Sequence, residues 1–302
     1  MLQQTRVEAV RPYYARFLKA LPTVADLRSA PDDLLYKLWE GLGYYSRARN
    51  LRRAAQVIVE EYGGELPQSL EKLQKLPGIG PYTAGAIASI AFHIPAAAVD
   101  GNVLRVLARL NASEANISLP AVKRAAEQAV VELMQDCSPG MFNQALMELG
   151  AVICLPNATP LCVQCPLGEL CKARAKGNQK SLPVRDKKAP RRVEEKTVFV
   201  LKNENSFLVR KRESTGLLAG LWELPNSEGM TDTRGMTNAL ASFGLYTVGE
   251  VACYGRKHVF THVEWHMRVY ALHVAGEVPA GWEWAKQQDD AHALPTAFRI
   301  CL

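Results

Sequence analysis

The chain has 302 residues, 48% of them hydrophobic, enough to bury large cores in two or three domains. Its net charge is only +6, yet residues 172 to 196 hold ten Lys and Arg against three Asp and Glu, so that one segment fits both a solvated linker and a nucleic-acid contact. No apolar run reaches the roughly 18 residues of a membrane span, no signal-peptide pattern opens the chain, and four of its seven cysteines fall between 154 and 171, which together exclude a membrane or secreted disulfide protein and favour a metal site in a cytosolic or nuclear-type one.

From the N-terminus, Leu2, Val7, Val10, Tyr14, Phe17 and Leu18 recur at helical spacing, predicting a helix over 1–20 with no N-cap before it. Two more helices start after Thr23 and Ala30-Pro31, the second ending at Gly41-Leu42-Gly43. There follows Tyr44-Tyr45-Ser46-Arg47, where aromatic and cationic residues interleave. Such aromatics can wedge between bases while arginines meet phosphate, and a helix start packed by its tyrosines explains the same residues equally well. Residues 51 to 75 give a further helix and a Gly63-Gly64 break.

The stretch from Leu76 to Arg109 has two chemical halves. Leu76-Pro77-Gly78-Ile79-Gly80-Pro81-Tyr82-Thr83-Ala84 places two glycines in a turn between helical patterns. Glycine admits positive φ and close approach of another molecule, and the next helix offers unpaired amides to an anion such as a phosphate. The second half sets Asp100 between the apolar run 94–99 and Gly101-Asn102, where a new helix begins; an acid there either caps the helix or does chemistry. Three helices over 103–150 complete a half that needs no strand.

Cys154, Cys162, Cys165 and Cys171 are spaced C-x7-C-x2-C-x5-C. Four thiols this close suit tetrahedral zinc or a [4Fe–4S] cluster; only one short knuckle is present, which favours iron–sulfur in a structural role that holds Lys172 and Arg174 toward DNA. From Thr197 the pattern changes to short β-rich runs at 197–201, 207–210 and 265–274, with one helix over 233–245. Gly216-Leu217-Leu218-Ala219-Gly220-Leu221-Trp222-Glu223-Leu224-Pro225 resembles the segment leading into a Nudix box, but no Arg-Glu-x-x-Glu-Glu helix follows to hold Mg²⁺. Arg210-Lys211-Arg212 is either a DNA contact or, more simply, an exposed strand end.

Taken together these motifs resemble the MutY-type adenine DNA glycosylases of the helix-hairpin-helix superfamily, which also contains endonuclease III. Four carry the likeness: Met1-Leu2-Gln3-Gln4-Thr5, Gly41 to Arg47 with the hairpin at 76–84, Val99-Asp100-Gly101-Asn102-Val103, and the four cysteines. The resemblance implies a multidomain protein: an all-α helix-hairpin-helix catalytic domain of six helices over 1–110, a helical iron–sulfur domain over 111–175, a basic linker over 176–195 and an α+β Nudix-like lesion-recognition domain over 196–302. It also implies a monomer that removes adenine mispaired with 8-oxoguanine or guanine in double-stranded DNA by base flipping.

Residue by residue, the resemblance implies that Asp100 stabilises or captures an oxocarbenium-like sugar, that Asn102 orients it and that Tyr82 lies over the sugar. Bifunctional relatives carry a Schiff-base lysine where Tyr82 stands, so Tyr82 marks monofunctional hydrolysis. Gln4 and Tyr44 would wedge at the lesion, with Arg47, Gly78, Gly80 and Thr83 on the DNA. Phe260-Thr261-His262 looks like the family's Phe-Ser-His loop that reads 8-oxoguanine, the threonine keeping the hydroxyl, and Cys154, Cys162, Cys165 and Cys171 would hold a [4Fe–4S] cluster. Three departures accompany the likeness. The family's acid glutamate lies two residues ahead of the methionine that is Met1 here, its first and last helices fall outside the chain, and the seven-residue gap after Cys154 is usually six. These imply a chain truncated at both ends that binds DNA better than it cuts, since a general acid contributes about a hundredfold or more. The rival readings are a non-catalytic lesion-binding homologue, an endonuclease III-like glycosylase/lyase and a bare Nudix hydrolase.

Overall fold

The computed structural model describes residues 1–2, 5, 7–156, 158–186, 189–286 and 291–302. The chain divides into two compact units, one made of 1–55 with 189–302 and the other of 56–188. The cuts expected at 110/111 and 175/176 therefore fall inside the second unit, and that at 195/196 inside a strand of the first.

The first unit opens with helices α1 (Val7–Ala20), α2 (Val24–Ser29), α3 (Asp32–Trp39) and the start of α4 (Ser46–Tyr62). Thr23 caps α2 in a capping box with Asp26, as its position before the apolar run suggested. In α1 only Val10 and Phe17 are buried; Val7, Tyr14 and Leu18, expected on the same apolar face, are exposed. Phe17 packs edge-on against Trp39, in a core shared with Leu35, Tyr36 and Leu42.

The rest of this unit is a mixed sheet of β1 (Arg192–Asn203), β2 (Ser206–Lys211), β3 (Trp222–Glu223), β4 (Asn226–Glu228), β5 (Leu245–Val259), β6 (Val263–Gly276) and β7 (Glu283–Lys286). Its order is β3-β2-β1-β6-β5, with β4 beside β1 and β7 beside β2; β1 and β6 run parallel and the other pairs antiparallel. Strand β1 starts at Arg192, earlier than the β-rich run at 197 indicated, because charged Arg192 to Glu195 pair with Val263 to His266 without burying an apolar face. One face packs Phe199, Leu201 and Leu272 on Met236 and Leu240 of the helix Thr233–Ser242. The other packs Val198, Val200, Trp265 and Val269 on Phe298 of the short C-terminal helix Thr296–Arg299.

In the second unit, α4 ends at Gly63 and Gly64, both at positive φ, and helices α5 (Leu70–Lys75), α6 (Pro81–Phe92), α7 (Gly101–Leu110), α8 (Pro120–Leu133), α9 (Pro139–Glu148) and α10 (Lys172–Lys176) follow. Val103 and Val106 of α7 meet Val130, Met134 and Leu146 in its core. Close packing fixes α6: a Cβ on Gly85 would lie 1.9 Å from the Ala97 carbonyl oxygen, so only glycine lets this helix press on the 94–99 segment. Buried Asn143 ties the same elements together, donating to Ser89 Oγ and Ala96 O, each at 2.8 Å, and accepting from Ala98 N at 3.0 Å. A π-helical turn, Leu149–Ile153, carries α9 into Cys154.

The basic segment is less of a linker than its composition suggests. Ile117 N donates to Val184 O at 2.9 Å, and Arg109 Nε to Leu182 O at 3.1 Å, so 182–184 is fastened to the second unit. Among the described residues no helix is long and apolar enough to cross a membrane.

Candidate active site and metal-binding loop

Of the two hairpin glycines, only Gly78 takes positive φ, at 77°. Gly80 is extended and serves as the N-cap of α6 with open space where a Cβ would be, so its value lies in leaving the helix end uncovered. Pro81 fills the first helical position, where no amide is needed, and half-buried Tyr82 and Thr83 complete the first turn. The Tyr82 hydroxyl donates to Met147 Sδ at 3.2 Å. Burial, and then the charge of Asp100, push that phenol above its ordinary value, so it stays protonated beside the carboxylate.

Asp100 is the N-cap of α7. Its Oδ1 accepts from Asn102 N at 2.8 Å and Val103 N at 2.9 Å, while Oδ2 accepts from Asn102 Nδ2 at 2.8 Å. The chain of contacts continues inward. Buried Arg105 donates to Asn102 Oδ1 at 2.9 Å, to Gly150 O at 2.7 Å and to Cys154 O at 2.8 Å, which fixes the amide so that its nitrogen faces Asp100. One carboxylate thus caps α7 through one oxygen and is held by Asn102 through the other.

The four cysteines of the loop carry no disulfide and line one cavity of about 30 Å³, walled by Val106, Leu110, Leu149, Ile153, Pro160 and Leu167. Arg109, buried, donates to Cys154 Sγ at 3.1 Å, and to Leu155 O at 3.0 Å. Burial, and then the neighbouring Cys171, Cys154 and Cys165 side chains, raise the Cys162 thiol above its usual value. A Cβ on Gly168 would lie 3.0 Å from Cys165 O and 3.2 Å from Cys162 O, so the knuckle closes tightly there. Among the described residues no three Cys, His, Asp or Glu side chains converge on one point as they would around a single ion. Four unpaired thiols spread around a shared apolar cavity, with a buried cation beside one of them, fit an anionic thiolate-ligated cluster.

In the first unit, Tyr44 holds a strained positive φ of 48° and is exposed, and its hydroxyl accepts from Thr261 Oγ1 at 3.2 Å. The loop of Thr261 is a tight turn in which Phe260 N donates to Val263 O at 2.8 Å. Phe260 stands edge-on between His258 and Trp265, with ring centroids 4.5 and 4.9 Å away. It is the packed anchor of the loop; Thr261 and His262 are the exposed members. Arg47, expected on a phosphate, has its guanidinium turned inward instead, donating to Met1 O at 3.0 Å and Leu42 O at 3.1 Å, because it is the second residue of α4 and lies against the loop it braces. Gln4 lies outside the described residues.

Residues 1–132 match the model of the HhH-GPD superfamily base excision DNA repair proteins, and residues 197–302 that of the NUDIX domain. A human adenine DNA glycosylase is 36% identical over 362 residues, spanning 99% of this chain and 65% of its own length. Its rat counterpart is 34% identical over 99% of this chain and 70% of its own length. The chain belongs to the adenine DNA glycosylase family. It spans about two thirds of the length of those curated relatives. A thermostable thymine-DNA glycosylase of solved structure, 30% identical, superposes with a TM-score of 0.52 over 58% of this chain and 80% of its own.

In this adenine DNA glycosylase family member the pairing of Asp100 with Asn102, two positions on, was implied by the family resemblance, whereas Met147, Arg105 and Arg109 were not singled out. A signal for the last two existed. Arg105 and Arg109 stand four apart on a helix otherwise buried through Val103, Leu104, Val106 and Ala108, and cations on such a face need acceptors nearby. Met147 offered none, being one apolar residue in an ordinary amphipathic helix.

Proposed function

We propose that this chain recognises adenine mispaired with 8-oxoguanine or guanine in duplex DNA, as a monomer, and hydrolyses the adenine N-glycosidic bond without strand cleavage. The observation that carries the reading is the Asp100 carboxylate, held by two backbone amides and by Asn102 and lying within electrostatic reach of Tyr82. A carboxylate fixed this way needs no rearrangement to face a cationic sugar. Asn102 keeps one oxygen in place, and Tyr82 brings a neutral phenol where a lysine would have formed a Schiff base.

The hairpin at Gly78 and Gly80, with Thr83 in the first turn of α6, takes the DNA backbone; Tyr44 enters the base stack; Thr261 and His262, on the turn anchored by Phe260, meet the 8-oxoguanine. Cys154, Cys162, Cys165 and Cys171 hold a [4Fe–4S] cluster, which when bound supplies a fixed charge centre that folds the loop and leads into the basic residues after Cys171.

A single-turnover assay on duplexes carrying adenine opposite 8-oxoguanine, read for both binding and abasic-site formation, tests this with the 302-residue chain and Asp100→Asn. Binding requires no proton donor, so lesion-selective binding is expected of both proteins, with adenine release confined to the one that keeps Asp100. Equal binding to an undamaged adenine–thymine duplex, or release unaffected by Asp100→Asn, refutes the proposal. Borohydride should trap no covalent complex, because Tyr82 carries no amine.

A further inference from the structure

Besides the thiols, the cavity shared by the four cysteines is bordered by three polar side chains, Arg109, Arg174 and Gln179. Gln179 lines it, and Gln179 Oε1 is buried with no hydrogen-bond partner among the described residues. A bare amide oxygen in an apolar enclosure costs about 1–3 kcal/mol, and the thiolate and sulfide sulfurs of a cluster, having no proton to donate, would give it no relief. The two ends of a carboxamide have the same shape, so a half turn about the last side-chain bond sets two N–H donors where the oxygen stands.

The backbone holds this side chain in place from both sides. Before it, Gly177 closes α10 in the left-handed region at φ 68°, and Asn178 N donates to Ala173 O at 3.1 Å. After it, Ser181 N donates to Asn178 O at 3.1 Å, and Leu182 O accepts from Arg109 Nε, the arginine that also reaches Cys154 Sγ. The Arg109 side chain is thus fastened to the segment that follows Gln179, and both residues line the cavity.

We infer that the Gln179 carboxamide donates a hydrogen bond to a sulfur of the cluster held by Cys154, Cys162, Cys165 and Cys171, and so tunes its reduction potential. The inference rests on the proposed cluster. Hydrogen bonds to sulfur favour the more negative of two redox states, so the donor raises the potential and protects the resting cluster from oxidation. Arg109 supplies a charged donor to one ligand; Gln179 supplies a neutral one from the opposite chain segment.

The test compares the iron–sulfur-loaded protein with Gln179→Leu, which keeps the bulk and removes the donors. Iron and sulfide content are read first, then the midpoint potential by film voltammetry and the rate at which an oxidant bleaches the visible band. Full iron and sulfide in both proteins, with a more negative potential and faster bleaching in Gln179→Leu, is the expected result. Equal potentials and equal bleaching at full occupancy overturn the inference. If the unsubstituted protein takes up no iron and sulfide, the cluster reading itself falls, and that failure shows in the content measurement before any potential is read. Should Gln179→Leu not load, glutamine labelled at its amide nitrogen is used in the unsubstituted protein, with Gln164→Leu excluding the other glutamine of the loop. Hyperfine coupling between that nitrogen and the oxidised cluster supports the inference, and its absence overturns it.

Discussion

At the scale of single residues, the N-cap role of Asp100 leaves room for the chemistry proposed for it. Its Oδ1 satisfies two of the orphan amides of α7, a role asparagine performs equally well, whereas stabilising a cationic sugar needs the charge. Asp100→Asn should therefore leave the thermal midpoint where it is and abolish adenine release, while Asp100→Ala should lose release and also about 1 kcal/mol of stability with the cap. Thermal melts beside the single-turnover assay separate the two contributions. Arg105 makes a second case. Of its four acceptors, Gly101 O and Asn102 Oδ1 are local, but Gly150 O and Cys154 O come from segments 45 residues or more away, so no local pattern reveals the group. Arg105→Met strands two buried carbonyls, at about 1–3 kcal/mol each, and frees the Asn102 amide to turn. Melting should fall, and release should fall further than the lost stability accounts for; unchanged release in the folded fraction would detach Arg105 from the chemistry.

At the scale of elements, what the sequence disclosed depended on whether burial imposed a period. Strand β6 was legible over 265–274 because Trp265, Met267 and Val269 alternate with less buried neighbours. Its partner β5 left no such trace: it lies at the sheet edge, almost every residue is exposed, and an irregularity between Val248 and Val251 breaks the alternation. The π-helical turn was equally invisible, since it is specified by packing and not by propensity. There Gly150 lets the turn close on α7, where a Cβ would lie 2.7 Å from Asn102 Cβ. Gly150→Ala should displace Asn102 from Asp100 and cut adenine release by about tenfold or more, since small misplacements of positioned groups are costly. Gly85→Ala is a second such substitution: its Cβ meets the Ala97 carbonyl on the segment that leads into Asp100, so it should lower stability by about 1–3 kcal/mol or more, read as a drop in the thermal midpoint.

At the scale of the whole molecule, the division into 1–55 with 189–302 and 56–188 could not be read from composition, because it rests on pairs such as Asp33 with Lys211 and Glu40 with Arg299, far apart in sequence. The basic segment could be read, and its charge has a consequence that needs no local geometry. Lys172, Lys176 and Lys180 are exposed and follow directly on the last cysteine, while Arg174 of the same helix borders the cavity. If these three lysines meet phosphates, each contributes about −0.9 to the slope of log binding constant against log salt. Replacing all three by glutamine should then make that slope shallower by up to about three, and weaken binding to matched and mismatched duplexes by the same factor. The proposed preference for 8-oxoguanine should survive, because backbone contacts carry no base information and the side chains proposed to read the lesion, Thr261 and His262, lie on a separate turn. A salt titration of both duplexes decides the matter. A steep slope unchanged by the substitutions would return this segment to the role of a solvated connection, and a loss of lesion preference would mean that these lysines position the reading loop and do more than attract the backbone.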